Sequence, residues 1–270
     1  MQEEFRKISD YWEKRYSHQI EKYQPFEISS DFKKFASLFA LGNSFLYIVN
    51  LHNFGLEYIS SSVEHFVKKD AGDIVIQDLL KTIMPDEIES ISLRSKVISD
   101  FYMAYVGKES VSLYKNMFTY RMKDADGQLR MMLYQAFPLS VLENGTPEHV
   151  FCIQTDVSHL KMTTDSTVSF IHMDGGKCYF NVNVSKGKFD PAACECSDKD
   201  FSQLITDREK QIVNRLSRGL NAEQIAMELN LSPHTIKTHR KNVLKKTGCL
   251  NTTELVAKCL INGVISPALS

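Results

Sequence analysis

Apolar positions recur with two different periods along this chain, and the change of period divides it. Between residues 204 and 265 they fall at helical spacing in four short runs. Ile212, Val213 and Leu216 make the first run, Ile225, Ala226 and Leu229 the second, Ile236 and Val243 the third, and Leu255, Val256, Cys259 and Leu260 the fourth. Each run has its own start and stop. Thr206-x-x-Glu209 is a capping box and Gly219 a left-handed stop; Asn221 with Gln224 opens the second helix and Asn230 closes it. Ser232-Pro233 supplies the third with a strong N-cap and a proline at its first position, and Gly248 ends it. Asn251 or Thr252 starts the fourth, which stops before Gly263.

Upstream, the pattern is that of strands. Phe45–Leu51 is rich in β-branched and aromatic residues, and Leu56–Ser60 alternates apolar with polar. Leu113–Met122, Leu129–Leu139 and His149–Asp156 read as three more strands, separated by the turn signals Asp124-Ala125-Asp126-Gly127 and Asn144-Gly145. A short helix from Ser62 and a longer one from Pro85 through Ile88, Ile91 and Val97 to Val106 occupy the middle. This order predicts an antiparallel sheet with helices on one face. Val168–His172 and Lys177–Val182 form a hairpin around Asp174-Gly175-Gly176, either added to that sheet or lying between domains. The first forty residues hold two amphipathic patterns, Phe5, Ile8, Trp12 and Tyr16, then Phe32, Phe35, Ala36 and Phe39, suited to capping the sheet or to dimerisation. The expected organisation is a helical segment at 1–44, a sheet domain with its hairpin at 45–185, a polar linker at 186–200 and a helical unit at 201–270. The fold class is α+β followed by an all-α four-helix unit.

Charge sharpens the division. The net charge of −1 conceals ten basic against five acidic residues from Phe201 onward, and 22 against 28 before it. The third helix carries five cations and no acid. At 100° per residue, Ile236, Val243 and Thr247 share one face, while His234, Lys237, Thr238, Lys241 and Lys245 share the opposite one. A compact helical unit with one basic helix suits the major groove, because neutralised phosphates release condensed counterions. The longest uncharged apolar runs fall far short of the roughly 20 residues that span a bilayer, and the charged N-terminus has no apolar signal core, so a cytoplasmic location is expected. Six cysteines without a CxxC pair point to free thiols, and Cys194-x-Cys196 lacks a second pair for a metal. Glycine-rich phosphate loop, nucleophile elbow and HExxH helix are all missing, so an enzyme is not expected. Asp124-x-Asp126-Gly127 reads as a turn rather than a calcium loop.

The C-terminal unit resembles the LuxR-type, or GerE-type, helix-turn-helix domain. The resemblance rests on Leu204-Ile205-Thr206-x-Arg208-Glu209, Gly219, Ile225-Ala226, Leu229, Leu231-Ser232, Thr235-Ile236-Lys237-x-His239, Asn242-Val243, Lys246 and Gly248. It implies that Lys237, Thr238 and Lys241 face the bases or groove edges of double-stranded DNA, and that Ser232, Thr235, His239, Arg240 and Lys245 position phosphates. Glu209 is expected in an internal ion pair. The family's pairing on inverted half-sites implies a homodimer, with Val256 and Leu260 of the last helix as contact candidates; packing within the monomer is the alternative for both. Thr252 stands where many members have arginine.

Residues 45–161 resemble a PAS domain through Tyr47-Ile48-Val49, Tyr58–Glu64, Met84–Glu87, Asp126-Gly127 and the closing Thr155-Asp156-Val157-Ser158-x-Leu160-Lys161. That implies a sensor or pairing module. No cofactor is required by the sequence: residues 45–135 hold no cysteine for a flavin adduct, and His65, the one histidine between 53 and 148, reads as a surface residue rather than a haem ligand. A small-molecule ligand is compatible with the module. Phe101, Met103, Met117, Phe118 and Met122 read as core rather than pocket lining. The chain thus reads as a one-component transcription regulator. Two alternatives share the plan: an autoinducer-type quorum regulator, whose site uses tryptophan within the sensor whereas the sole tryptophan here is Trp12, and a PAS-based protein-interaction adaptor with a DNA-binding head.

Overall fold

The computed structural model describes residues 2–26, 28–29, 32, 43–160, 162–192, 204–261 and 263–265. It divides into two compact units, Met1–Glu195 and Cys196–Ser270. Among the described residues no helix is long and apolar enough to cross a membrane.

The first unit is built on one antiparallel sheet of seven strands: β1 (Ser44–Asn50), β2 (Leu56–Ile59), β3 (Tyr114–Lys123), β4 (Leu129–Val141), β5 (Pro147–Asp156), β6 (Thr167–His172) and β7 (Tyr179–Asn183). Their order is β2-β1-β5-β4-β3-β6-β7. The first five strands, with a run of short helices between β2 and β3 and the chain then returning through a meander, make a PAS-like sheet. Strand alternation sorts its faces. Phe45, Tyr47, Val49, Tyr120, Met122, Met132, Ala136 and Cys152 point into the main core, whereas Leu46, Ile48 and Phe151 belong to a smaller cluster on the other face. β1 is buried along nearly its whole length, so both faces are covered there.

Two helices close the main core. In α2 (Ile76–Lys81) Ile76, Leu79 and Leu80 are buried, and in α3 (Ile88–Asp100) Ile88, Ile91 and Val97 are. The single long helix predicted from Pro85 to Val106 is instead a 3-10 turn (Pro85–Glu87), α3, and a π-helical turn (Phe101–Tyr105). Phe101 and Tyr102 are both buried in this π turn. The periodicity at Ile76–Lys81 is too short to register as a helix in the sequence, and this element was not foreseen. The N-terminal pattern does form a helix, α1 (Gln2–Arg15); Ile8 and Tyr16 are buried in the sheet's core and Trp12 stacks on Phe54 at 5.6 Å. The second N-terminal pattern, apart from Phe32, lies outside the described residues, as do Cys194 and Cys196.

The hairpin joins the sheet. β6 pairs with β3, Asn116 opposite Phe170, and a second core forms where Phe170 stacks on Phe101 at 3.9 Å. Phe189, which falls in the polar stretch read as linker, is buried in this core at 4.9 Å from Phe101. One aromatic residue thus extends the body into a segment whose composition is otherwise that of a loop. The Asp124–Gly127 turn holds itself: Asp124 Oδ1 accepts from the backbone N–H groups of Asp126 and Gln128, and Oδ2 accepts from Arg130 at 2.7 Å. His65 is exposed.

Candidate nucleic-acid interface and sensor cavity

The second unit packs four helices: α4 (Asp207–Ser217), α5 (Ala222–Leu229), α6 (Pro233–Thr247) and α7 (Thr252–Ile261). The local signals act as the sequence implies. Glu209 N–H donates to Thr206 Oγ1 at 3.3 Å while Thr206 N–H donates to Glu209 Oε2 at 2.9 Å. Asn221 and Gln224 make the same reciprocal pair, each bond 2.9 Å. Asn230 (φ 52°) and Gly248 (φ 68°) adopt the left-handed conformation that stops α5 and α6. Ser232 Oγ accepts from Thr235 N–H at 3.0 Å, so the turn between α5 and α6 is only as long as its two caps require.

Apolar packing fixes how α6 is rotated. Ile212, Ile225, Ala226 and Ile236 form one cluster, and Ile205, Val213, Val243, Leu255 and Cys259 another. With Ile236 and Val243 each 1% exposed, the opposite side of α6 must face outward. Lys237, Thr238 and Lys241 lie together there, and Lys245 continues the row, all four exposed. Lys245 follows Lys237 by eight positions, so the row runs for about 12 Å along the helix, on an element whose diameter of about 10–12 Å is one the major groove admits. Ser232 and Thr235 sit at the start of α6, where the first-turn N–H groups favour an anion. Arg240 is exposed and His239 half-buried, on the two flanks of the row. Thr238 spends its hydroxyl on the His234 carbonyl at 3.0 Å, which leaves its methyl as the outward contact.

The ten cations of this segment are sorted by structure. Lys246 Nζ lies 2.9 and 3.0 Å from the two oxygens of Glu209, whose carboxylate is 3% exposed. Burial alone would raise the Glu209 pKa; the Lys246 ammonium, with the N–H and hydroxyl of Thr206, more than offsets it and holds the carboxyl below its ordinary value. Arg215 pairs with Glu228 at 2.8 Å, and Arg208 donates to the Leu229 carbonyl at 3.0 Å. These two arginines brace the end of α5, just before the turn into α6, and sequence reasoning missed them. A signal existed: seven residues apart, they share one face of α4. By contrast, Lys237, Arg240, Lys241 and Lys245 form no ion pair among the described residues. Of the two dimer candidates, Val256 packs against the unit's own core, whereas Leu260 is 36% exposed.

Residues 203–259 match the family of bacterial regulatory proteins described as luxR. This segment is similar to the luxR-type domain. The chain is similar to the transcriptional regulatory protein UhpA of Salmonella typhimurium, 32% identical over 100 residues that make up 35% of this chain and 44% of UhpA. It is also similar to the transcriptional regulatory protein MctR of Rhizobium johnstonii, 35% identical over 106 residues, 39% of this chain and 47% of MctR. The chain therefore spans under half the length of these curated relatives. Among solved structures, the N-terminal domain of a diguanylate cyclase with a PAS/PAC sensor from Marinobacter aquaeolei covers 44% of this chain and 99% of its own, at 16% identity and a TM-score of 0.35. The VqmA dimer of Vibrio cholerae, described as a LuxR-type receptor, covers 90% of this chain and 92% of its own, at 15% identity and a TM-score of 0.33. The PAS-like assignment of the body rests on its own strand order.

The body holds a cavity of about 120 Å³ between sheet and helices, continuous in its lining with a second of about 90 Å³. Trp12, Tyr47, Ile76, Ser95, Ile98 and Tyr134 line both. Two readings of the sequence change here. Trp12, set aside for its N-terminal position, forms part of the cavity wall because α1 folds onto the sheet. Phe118, read as core, lines the second cavity, whereas Phe101 and Met122 are core residues at 0% and 1% exposure. Burial pushes the Cys152 thiol up to about 11 and the Tyr16 hydroxyl to about 12, so both stay neutral at physiological pH.

Proposed function

We propose that this chain is a one-component, sequence-specific transcription regulator: a non-enzymatic cytoplasmic protein that binds duplex DNA as a homodimer and takes a small molecule into its PAS-like body. The observation that carries this reading is the outward row of cations on α6 that form no ion pair among the described residues, fixed in rotation by the Ile236 and Val243 anchors. In this reading Lys237, Thr238 and Lys241 contact bases or groove edges, with lysine donating to guanine acceptors and the threonine methyl meeting a thymine methyl. Ser232, Thr235, His239, Arg240 and Lys245 set the register on phosphates. Glu209 and Lys246 take no part, being paired with each other.

A single module of this size covers little DNA, so useful affinity calls for two. Leu260 is the better candidate for the contact between copies, because Val256 is already committed to its own core. The test begins with duplexes selected from a random library by the full chain. Lys241→Glu is then expected to weaken binding to the selected duplex by at least about tenfold, with helix content unchanged. Equal affinity of variant and wild type by fluorescence anisotropy at moderate salt would overturn the assignment of α6.

A further inference from the structure

The cavity behind α1 is defined by what its wall lacks and by one group it leaves idle. Among the described residues no charged side chain lines it, and its volume of about 120 Å³ is on the scale of apolar cavities that take up a benzene-sized ring. Its buried polar groups are mostly engaged. Ser95 Oγ donates to the Ile91 carbonyl at 3.0 Å, Tyr102 to the Tyr114 carbonyl at 3.0 Å, and Tyr47 accepts from Gln154 at 3.1 Å. Asn116 is the exception. It is 3% exposed, lines the cavity, and its Nδ2 has no hydrogen-bond partner. Strand alternation puts it on the same face of β3 as Phe118 and Tyr120, toward the core, so the amide does not reach solvent on the far face.

We propose that this cavity binds an uncharged, ring-sized molecule whose acceptor oxygen or nitrogen takes a hydrogen bond from Asn116 Nδ2 while its flat face lies against Trp12. An ion is disfavoured because nothing in the wall would pair with it. A planar ring is favoured because Trp12 already stacks on Phe54 at 22° between planes, presenting an aromatic wall. Trp12 and Tyr16 come from the N-terminal segment, so occupancy also ties α1 to the sheet. The proposal depends on the regulator reading only for its purpose, in that a bound molecule would be the signal.

Trp12 is the only tryptophan in the chain, so its emission reports on the site directly. The full chain is titrated with acetophenone, with ethylbenzene, which has a similar shape but no acceptor, and with benzoate, which carries a charge. Calorimetry gives the affinity and Trp12 emission gives the location. Acetophenone is expected to bind saturably and about tenfold more tightly than ethylbenzene, the yield of one hydrogen bond, and benzoate is expected not to bind. In Asn116→Leu the acetophenone affinity should fall to that of ethylbenzene, while ethylbenzene holds or tightens. Asn116→Ala, smaller and without a donor, serves if the leucine variant does not fold. Three outcomes each overturn the proposal: no saturable binding of acetophenone, ethylbenzene binding as well as acetophenone to wild type, or an acetophenone preference that survives both substitutions. DNA binding is measured on the same samples. Retained DNA affinity without probe binding removes the ligand alone, and lost DNA affinity of the wild type removes the regulator reading alone.

Discussion

Replacing Lys246 by methionine tests whether the ion pair with Glu209 holds the C-terminal helical unit together. Glu209 is 3% exposed and accepts from Thr206 N–H at 2.9 Å, Thr206 hydroxyl at 2.8 Å, and Lys246 at 2.9 Å. Lys246→Met keeps the stem and removes the charge, leaving a buried carboxylate with only the Thr206 donors. Breaking a fully buried pair costs about 3–5 kcal/mol, and an exposed pair contributes about 0–1 kcal/mol. The Lys246 side chain is 44% exposed, so the expected loss falls between these, at about 2 kcal/mol. That corresponds to roughly 30-fold lower protection of amides from hydrogen exchange. The assay is exchange on the full chain, comparing peptides from residues 204–265 with peptides of the sheet as an internal reference. The pH dependence carries the sign. Because the folded pKa of Glu209 lies below its ordinary 4.5, its stabilisation is present above that value and is lost as pH falls through the folded one. In Lys246→Met the largest opposing influence on burial is gone, the folded pKa rises, and the gain in protection with rising pH should shrink. Glu209→Gln combined with Lys246→Met should recover part of the loss, since glutamine still closes the capping box. Protection within about threefold of wild type in Lys246→Met, with an unchanged pH profile, would refute the reasoning.

Two further expectations concern α6. Lys245→Gln should weaken binding to all duplex sequences alike and flatten the slope of log affinity against log salt by about one, measured by anisotropy over a salt series. A selective loss at one base position would place Lys245 among the readers instead. Gly248→Ala should destabilise the unit by about 1 kcal/mol, from backbone strain alone. At φ 68° an added Cβ meets nothing within 4 Å, so a much larger loss in a urea titration would mean the helix end is constrained by something other than its dihedral.

The two units were legible to different depths, for a physical reason. Helix stops and starts in the C-terminal unit are written in adjacent residues, so Thr206, Glu209, Asn221, Ser232 and Gly248 announced their roles. The internal pairing of Glu209 was implied by the resemblance to the LuxR-type domain, whereas its partner Lys246 emerges only from the packing of α4 against α6. In the body, strands were recognised by alternation, yet what they surround was not. Trp12 and Asn116 are more than a hundred residues apart, and only the register that sets β3 into the sheet and packs α1 against its core makes them neighbours of one cavity. Arg208 and Arg215 stand between these cases. Their shared face was visible in the spacing, but their targets, the Leu229 carbonyl and Glu228, depend on how α5 docks.

Buried polar atoms without partners separate the units further. Among the described residues they are His52 Nδ1, Ser90 Oγ, Arg94 Nη1, Asn116 Nδ2 and Glu148 Oε1, all in the body. The helical unit has none: each cap is closed and its one buried carboxylate is paired. Where local propensity, capping and packing all agree, a sequence specifies a single rigid form, and departures from that agreement concentrate where function needs them. A reader of DNA gains from rigidity, since its cations must keep their spacing across the groove. A ligand-binding body, as proposed above, gains from the opposite, because a group left unsatisfied by the protein is one that a ligand can satisfy. Of the five orphans, Asn116 alone lines the larger apolar cavity, so it is the position at which binding would change the energy of the fold most directly.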